Sequence, residues 1–301
     1  MGKIPFRVNP MLATLVDKPF SKPNWVFEEK YDGVRMLAYK EGSKVSLISR
    51  NAIDRSARYP EIAATLGKLR IDTLLLDGEV VVFDGRRVSH FQLLQQGKGQ
   101  PRYAVFDCVY SDGKDLRQEP LSVRRKVLEQ VVKVRGEVEI ATRLANDGIA
   151  AYEEANKRGL EGVIGKDSGA PYTEGRSKAW LKIKINQQEE FVIGGFTAPE
   201  GSREHFGALL LGTFQNGQLQ YVGKVGTGFD EEILSSLHHK LNHLVRTSSP
   251  FSSGVKEKKA TFVSPKLVAQ VAFTERTTDG KLRHPVYLGL RDDKAARETE
   301  Q

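Results

Sequence analysis

The chain of 301 residues has a single cysteine, Cys108. One thiol excludes an internal disulfide framework and any zinc site built from several cysteines. Cys108 stands in the apolar run YAVFDCVY and reads as a small buried hydrophobe. Long hydrophobic runs are missing too. No stretch approaches the roughly 20 apolar residues of a membrane-spanning helix, and MGKIPFRVNPMLATL at the N-terminus has no apolar core of signal-peptide length. The expectation is a cytoplasmic protein without a membrane partner. There is also no G-x-x-x-x-G-K-[ST] loop and no G-x-G-x-x-G opening a helix, so a bound nucleotide is held in neither of those ways.

What is present is basic and globular. The formal charge is +8, which suits a polyanionic partner, nucleic acid first, although charge alone fits an ordinary basic protein equally well. Hydrophobic content is 39%, enough for real cores. Up to about residue 187, strands alternate with helices. NWVFEEKYDGVRMLAYKEGSKVSLISRN reads as three strands with turns at Asp32-Gly33 and Glu41-Gly42. Pro60 opens one helix. PLSVRRKVLEQVV is a second, with Val123, Val127, Leu128 and Val131 on its apolar face, and DGIAAYEEANKRG is a third, closed by Gly159. This texture is α+β, of antiparallel sheets with flanking helices. From residue 188 onward, about five strands joined by glycine turns, with Asn216-Gly217 a hairpin signal, surround one helix, DEEILSSLHHKLNHLV. That set suits a small barrel of the oligonucleotide-binding (OB) kind. The expected domains are therefore 1–187 and 188–301, with a hinge near 186–190.

Several polar groups stand in or beside apolar strands. Lys30, Asp32 and Arg35 flank the first turn; Glu79 lies between LLLDG and VVVF; Glu161 and Lys166 bracket EGVIGK; Lys182 and Lys184 alternate with apolar residues and share one face. A solvated sheet face explains any single strand. The whole set answers a chemical need. A nucleophilic lysine must be unprotonated, although its reference pKa is about 10.4. Neighbouring cations such as Lys182 and Lys184, and a magnesium ion on Glu79 and Glu161, would disfavour the ammonium form and neutralise a phosphoryl group under attack. The pattern points to a lysyl–nucleotide phosphoramidate.

KYDGVR resembles the K-x-D-G-x-R signature of covalent nucleotidyltransferases: DNA ligases, RNA ligases and capping enzymes. SRN at 49–51, LDGEVV at 76–81, YAVFDCVY, EGVIGK at 161–166, WLKIK at 180–184 and RDDK at 291–294 resemble the later family elements, in the family's order. APEGSREHFGALLLGTF, YVGKVGTGF and LRHPVYLGLRDDK are similar to the ligase module of bacterial ATP-dependent end-joining DNA ligases. The polymerase and nuclease modules often fused there do not fit in this chain, so it resembles a stand-alone core. The resemblance implies an adenylation domain followed by an OB-fold domain.

It further implies that Lys30 carries AMP, that Arg35 contacts the ribose and later the DNA 5′ end, and that Arg50 binds phosphate. Glu79 and Glu161 would serve ribose or metal in an order left open. Phe106 would stack on the purine, or be a core phenylalanine. Lys182 and Lys184 would contact the α-phosphate. Glu28 and Lys166 are cofactor-binding candidates with a structural role as the alternative, and Asp32 is a candidate to orient Lys30. Arg291, Asp293 and Lys294 would act from the barrel, which in the family closes over ATP and then opens to meet DNA. The implied cofactors are ATP and Mg2+ or Mn2+. The implied partners are nicked duplex DNA and an end-binding repair protein, for a monomer associated with the nucleoid. A capping guanylyltransferase, an RNA ligase and a catalytically inactive nucleic-acid-binding protein are the rival readings. An NAD-dependent ligase would need a zinc module that one cysteine cannot form.

Overall fold

The computed structural model describes residues 4–5, 7–132, 136–185, 188–199, 203–252, 255, 257, 259–277 and 279–299. The chain divides into two compact units, residues 1–186 and 187–301. Of the expected hinge, residues 186–187 lie outside the described set, and 188–190 open a strand of the second unit.

The first unit runs β1 (Met11–Leu15), β2 (Trp25–Lys30), β3 (Val34–Glu41), β4 (Lys44–Ser49), α1 (Pro60–Gly67), β5 (Thr73–Val81), α2 (Phe91–Gln95), β6 (Arg102–Ser111), β7 (Lys114–Asp115), α3 (Leu121–Val131), β8 (Val138–Ile140), β9 (Arg143–Ala145), α4 (Gly148–Arg158), β10 (Gly162–Asp167) and β11 (Gly175–Lys184). Two sheets form, β1-β11-β10-β2-β9 and β4-β3-β5-β6-β7 with β8 beside β6. A core that includes Leu37, Leu75, Val81, Phe106, Tyr172 and Trp180 draws on both sheets. Strand alternation sends the neighbouring residues Met36, Ala38, Leu74 and Leu76 to a separate core with Ile62 and Leu66 of α1.

The Asp32-Gly33 turn links two sheets: β2 belongs to one and β3 to the other, so the motif loop crosses between them. Gly33 is required there, because a Cβ would meet the Val80 carbonyl oxygen at 2.3 Å. In α3 the buried side is Leu121, Arg124, Arg125 and Leu128, whereas Val123 is exposed. Two arginines turn inward because buried carboxylates await them, which a hydrophobic pattern does not reveal. The ends of α4 follow their local chemistry. Asp147 accepts from the Ile149 and Ala150 amides at the start of α4, and Gly159 ends it in the left-handed region at φ 73°.

The second unit contains β12 (Gln188–Thr197), β13 (Leu209–Gln215), β14 (Gln218–Val225), α5 (Glu231–Asn242), β15 (Val245–Arg246), β16 (Ala260–Val263), β17 (Val268–Ala272), β18 (Glu275–Arg276), β19 (Leu282–Arg283) and β20 (Val286–Leu290). Long β12 organises it. One edge pairs with β13; along the other, its first half pairs with β17 and its end with β16. Strand β17 then pairs with β20. Asn216 and Gly217 join β13 to β14 with φ values of 49° and 73°, the paired positive angles of a tight hairpin. The coiled sheet encloses Phe191, Phe206, Leu211 and Val271, and α5 adds Leu234, Leu237 and Leu241. This is the sheet-and-helix arrangement of an OB-type barrel; among the described residues no ladder joins β14 to β20.

Candidate active site

Strand pairing brings the predicted lysines together. Gly162 of β10 lies opposite Lys30 of β2 on one side and Lys184 of β11 on the other. Ile164 is likewise flanked by Glu28 and Lys182. Directly paired residues point to the same face, so Lys30, Lys182 and Lys184 share one face of the sheet, with Lys30 and Lys184 two strand spacings, about 9–10 Å, apart at the backbone. The opposite face carries Phe27, Val163 and Ile183, all essentially inaccessible and packed on Ala151 and Ala155 of α4. Gly162 leaves the row clear of a central side chain. A Cβ there would meet the Ile183 carbonyl oxygen at 2.2 Å.

Glu161, immediately before β10, is in direct contact with the amine: Lys30 Nζ donates to its Oε1. The sequence reading placed cations around Lys30, whereas the structure adds a carboxylate at its amine. Burial pushes the Glu161 carboxyl above its ordinary range, against the opposing pull of Lys30; the Asp32 charge adds to the rise and Lys184 opposes it. Glu161 Oε2 is buried with no hydrogen-bond partner. Asp32 is anchored on the α2 side of the loop. Its carboxylate accepts from the Phe91 amide at the start of α2, and its own amide donates to Ser89 Oγ at 2.9 Å. Those bonds tie the loop that follows the nucleophile to a fixed point.

Arg35 of β3 faces Glu79 of β5 across the second sheet. Its guanidinium donates to both oxygens of Asp77, at 2.5 and 2.6 Å, and to the Met11 carbonyl at 3.1 Å. Tyr172 completes the anchor by donating to Asp77 Oδ2 at 2.6 Å. Glu79 lies beside the motif loop: its Cγ is 3.1 Å from where a Gly33 Cβ would stand. Arg50 follows β4 and lines a cavity of about 420 Å³ together with Arg7, Lys44 and Tyr39.

Glu28 and Lys166 are brought together with each other. Lys166 Nζ and Arg125 Nη1 both donate to Glu28 at 2.6 Å, and all three side chains are nearly inaccessible. The Lys166 ammonium is 4.4 Å from the Phe106 ring centre, and the Arg35 guanidinium is 4.3 Å from it. Phe106 itself is 8% exposed. Behind Phe106, the fully buried Arg124 donates to both oxygens of Asp107 at 2.8 Å, fixing α3 on β6. Asp77, Asp107, Arg124 and Tyr172 are the supporting residues that sequence reasoning missed. For Asp77 and Asp107 the signal was a carboxylate inside an apolar run; Arg124 and Tyr172 stand in polar stretches that give none.

In the second unit Arg291 and Asp293 form a buried two-bond pair, each bond 2.8 Å. Arg291 also donates to Gln270 at 3.1 Å, and Lys294 donates to Glu190 of β12 at 2.5 Å. The first two residues thus brace the chain end that carries Lys294.

Two family descriptions match this chain: the ATP dependent DNA ligase domain over residues 10–184 and the ATP dependent DNA ligase C terminal region over residues 202–294. The chain belongs to the ATP-dependent DNA ligase family. Its enzyme class and its two-part fold stand with that membership. The multifunctional non-homologous end joining protein LigD of Pseudomonas aeruginosa is 38% identical over 99% of this chain, and that of Mycolicibacterium smegmatis is 38% identical over 95%. The chain spans 37% and 38% of the length of these two relatives. Among solved structures, mycobacterial DNA ligase D complexed with ATP and MES is 34% identical, with a TM-score of 0.72 over 98% of this chain and 99% of that one. The ligase domain of M. tuberculosis LigD gives 35% identity and a TM-score of 0.57, over 99% of this chain and all of that one. No helix among the described residues of this ligase-family chain is long and apolar enough to cross a membrane.

Proposed function

We propose that this chain seals nicks in duplex DNA with ATP, through AMP carried on Lys30, in the repair of DNA ends. The observation that carries the reading is the placement of Lys30 at a strand end, in contact with buried Glu161 and on one face with Lys182 and Lys184. First, Lys30 Nζ forms a bond to the α-phosphorus of ATP and the bond to pyrophosphate breaks. The ammonium must lose a proton before attack, and Oε1 of Glu161 is the acceptor in contact with it. Lys182 and Lys184 hold the α-phosphate and neutralise its developing charge. Next, an oxygen of the 5′-phosphate at the nick bonds to the AMP phosphorus and the bond to Lys30 Nζ breaks. Finally, the 3′-hydroxyl oxygen bonds to the 5′-phosphate phosphorus, its proton passes to solvent, and the bond to AMP breaks.

Among the described residues no cluster of three His, Cys, Asp or Glu side chains forms a cage for a metal. Magnesium needs none, since it is commonly held by one or two carboxylates, water and substrate phosphate. The unpartnered Oε2 of Glu161 fits that role, with Glu79 the second candidate. A magnesium ion bound there would neutralise phosphate charge and disfavour the ammonium form of Lys30. Arg35, Arg50 and Glu79 serve the ribose and phosphates, and Phe106 serves the base. Arg291 and Asp293 position Lys294, which assists departure of pyrophosphate.

The test is labelling with α-labelled ATP or GTP, followed by sealing of a nicked duplex. ATP alone should label wild type, Lys30→Ala should stay unlabelled, and all-DNA nicks should be sealed. Labelling by GTP in preference to ATP would turn the assignment to a capping guanylyltransferase. Salt-sensitive DNA binding without any adduct would mark an inactive binding protein.

A further inference from the structure

The second unit carries a histidine pair with a geometry unrelated to nucleotide chemistry. His239 lies on α5 and His243 follows its last residue, four positions along, so both side chains stand on one exposed side of the helix. Their Nε2 atoms face each other at 3.3 Å, with ring centres 4.8 Å apart. In a metal-free chain one ring donates a proton to the other. Replacing that proton by a cation needs little movement.

The separation suits a tetrahedral bite. Zinc–imidazole bonds are about 2.0–2.1 Å long. Two such bonds spanning 3.3 Å meet at about 104–111°, which brackets the tetrahedral angle. A right-angled octahedral or square-planar bite with the same bond lengths needs a separation of only about 2.9 Å. Two histidines at this spacing on a helix are also the ligand pair of helical zinc motifs. Magnesium, which prefers oxygen donors, is a poor match. The adjacent His238 is engaged elsewhere, with its ring 5.3 Å from His205 and 5.6 Å from Phe196.

We propose that His239 and His243 form a bidentate zinc site on the exposed side of α5, with water or an external donor completing the tetrahedron. The site is independent of the ligase reading and would exist in a catalytically dead variant. The test is calorimetric titration of the full chain with zinc chloride at pH 7.5 in excess magnesium. Wild type, His239→Gln, His243→Gln and His238→Gln are compared, with circular dichroism confirming the fold of each. Wild type and His238→Gln should bind one more zinc equivalent than either of the other two variants, or bind that equivalent at least tenfold more tightly. Zinc binding of the same stoichiometry and affinity in all four proteins overturns the assignment, as does an absence of zinc binding in wild type.

Discussion

Replacing Asp77 by alanine should injure both the first unit and its chemistry. Asp77 is fully buried and accepts two charge-assisted bonds from Arg35 at 2.5 and 2.6 Å, plus one from the Tyr172 hydroxyl at 2.6 Å. Its loss leaves a guanidinium that is only 19% exposed without its counter-charge. Removing one partner of such a pair costs about 3–5 kcal/mol, since the remaining charge is uncompensated. For a unit of this size each kcal/mol lowers the melting temperature by about 2–4 °C, so a fall of roughly 6–20 °C follows. The chain's two tryptophans, Trp25 and Trp180, both lie in the first unit, so tryptophan fluorescence during urea unfolding follows that unit selectively. Under native conditions, ATP labelling should drop at least tenfold because Arg35 is no longer held beside the site. The double variant Asp77→Leu/Arg35→Met should regain most of the stability, as buried ion pairs replaced by apolar side chains often do, and none of the labelling. A loss below about 1 kcal/mol in the single variant would refute the anchoring argument.

Three further expectations concern other parts of the chain. Burial raises the Glu29 carboxyl to about 7, against the charge of Arg158, while Glu139 adds to the rise and Arg87 opposes it. A carboxyl whose folded-state pKa is raised contributes stability below its unfolded value, and that contribution is lost as pH rises through the folded value. Glu29→Gln should therefore gain about 1–3 kcal/mol relative to wild type at pH 8 and little at pH 4, measured by urea unfolding at both; equal effects at the two pH values would contradict it. Cys108 is wholly inaccessible and burial pushes its thiol up, so a maleimide should label it only after unfolding. Rapid labelling of native protein would count against the core described here. Lys294→Ala should impair self-adenylylation at least tenfold more than sealing of pre-adenylated DNA; equal losses in the two assays would remove Lys294 from the first step.

Much of the site was legible because it lies on regular strands. Alternation alone puts Lys182 and Lys184 on one face, and the K-x-D-G-x-R signature marks Lys30 and Arg35. The contact between Lys30 and Glu161 was not legible, because it joins residues 131 positions apart through the register of β2 with β10. The same holds for Asp77 with Arg35 and Asp107 with Arg124. In a linear pattern Arg124 and Arg125 look like a solvated helix face; the carboxylates of Asp107 and Glu28, with backbone carbonyls of Glu119, Ala170 and Ala141, make their burial tolerable. Glu28 and Lys166 show the opposite case. Their strands were read correctly, while their mutual pairing needed the three-dimensional register.

The central claim is that one amine, held against Glu161, takes a nucleotide onto its nitrogen. Peptide mapping by mass spectrometry, after incubation of the whole chain with ATP and magnesium, tests it most directly. The prediction is a single adenylate on the peptide containing Lys30, absent from Lys30→Ala and released as ATP when pyrophosphate is added. A folded wild-type protein with no adenylate on that peptide, or with the adenylate on another lysine, would contradict it.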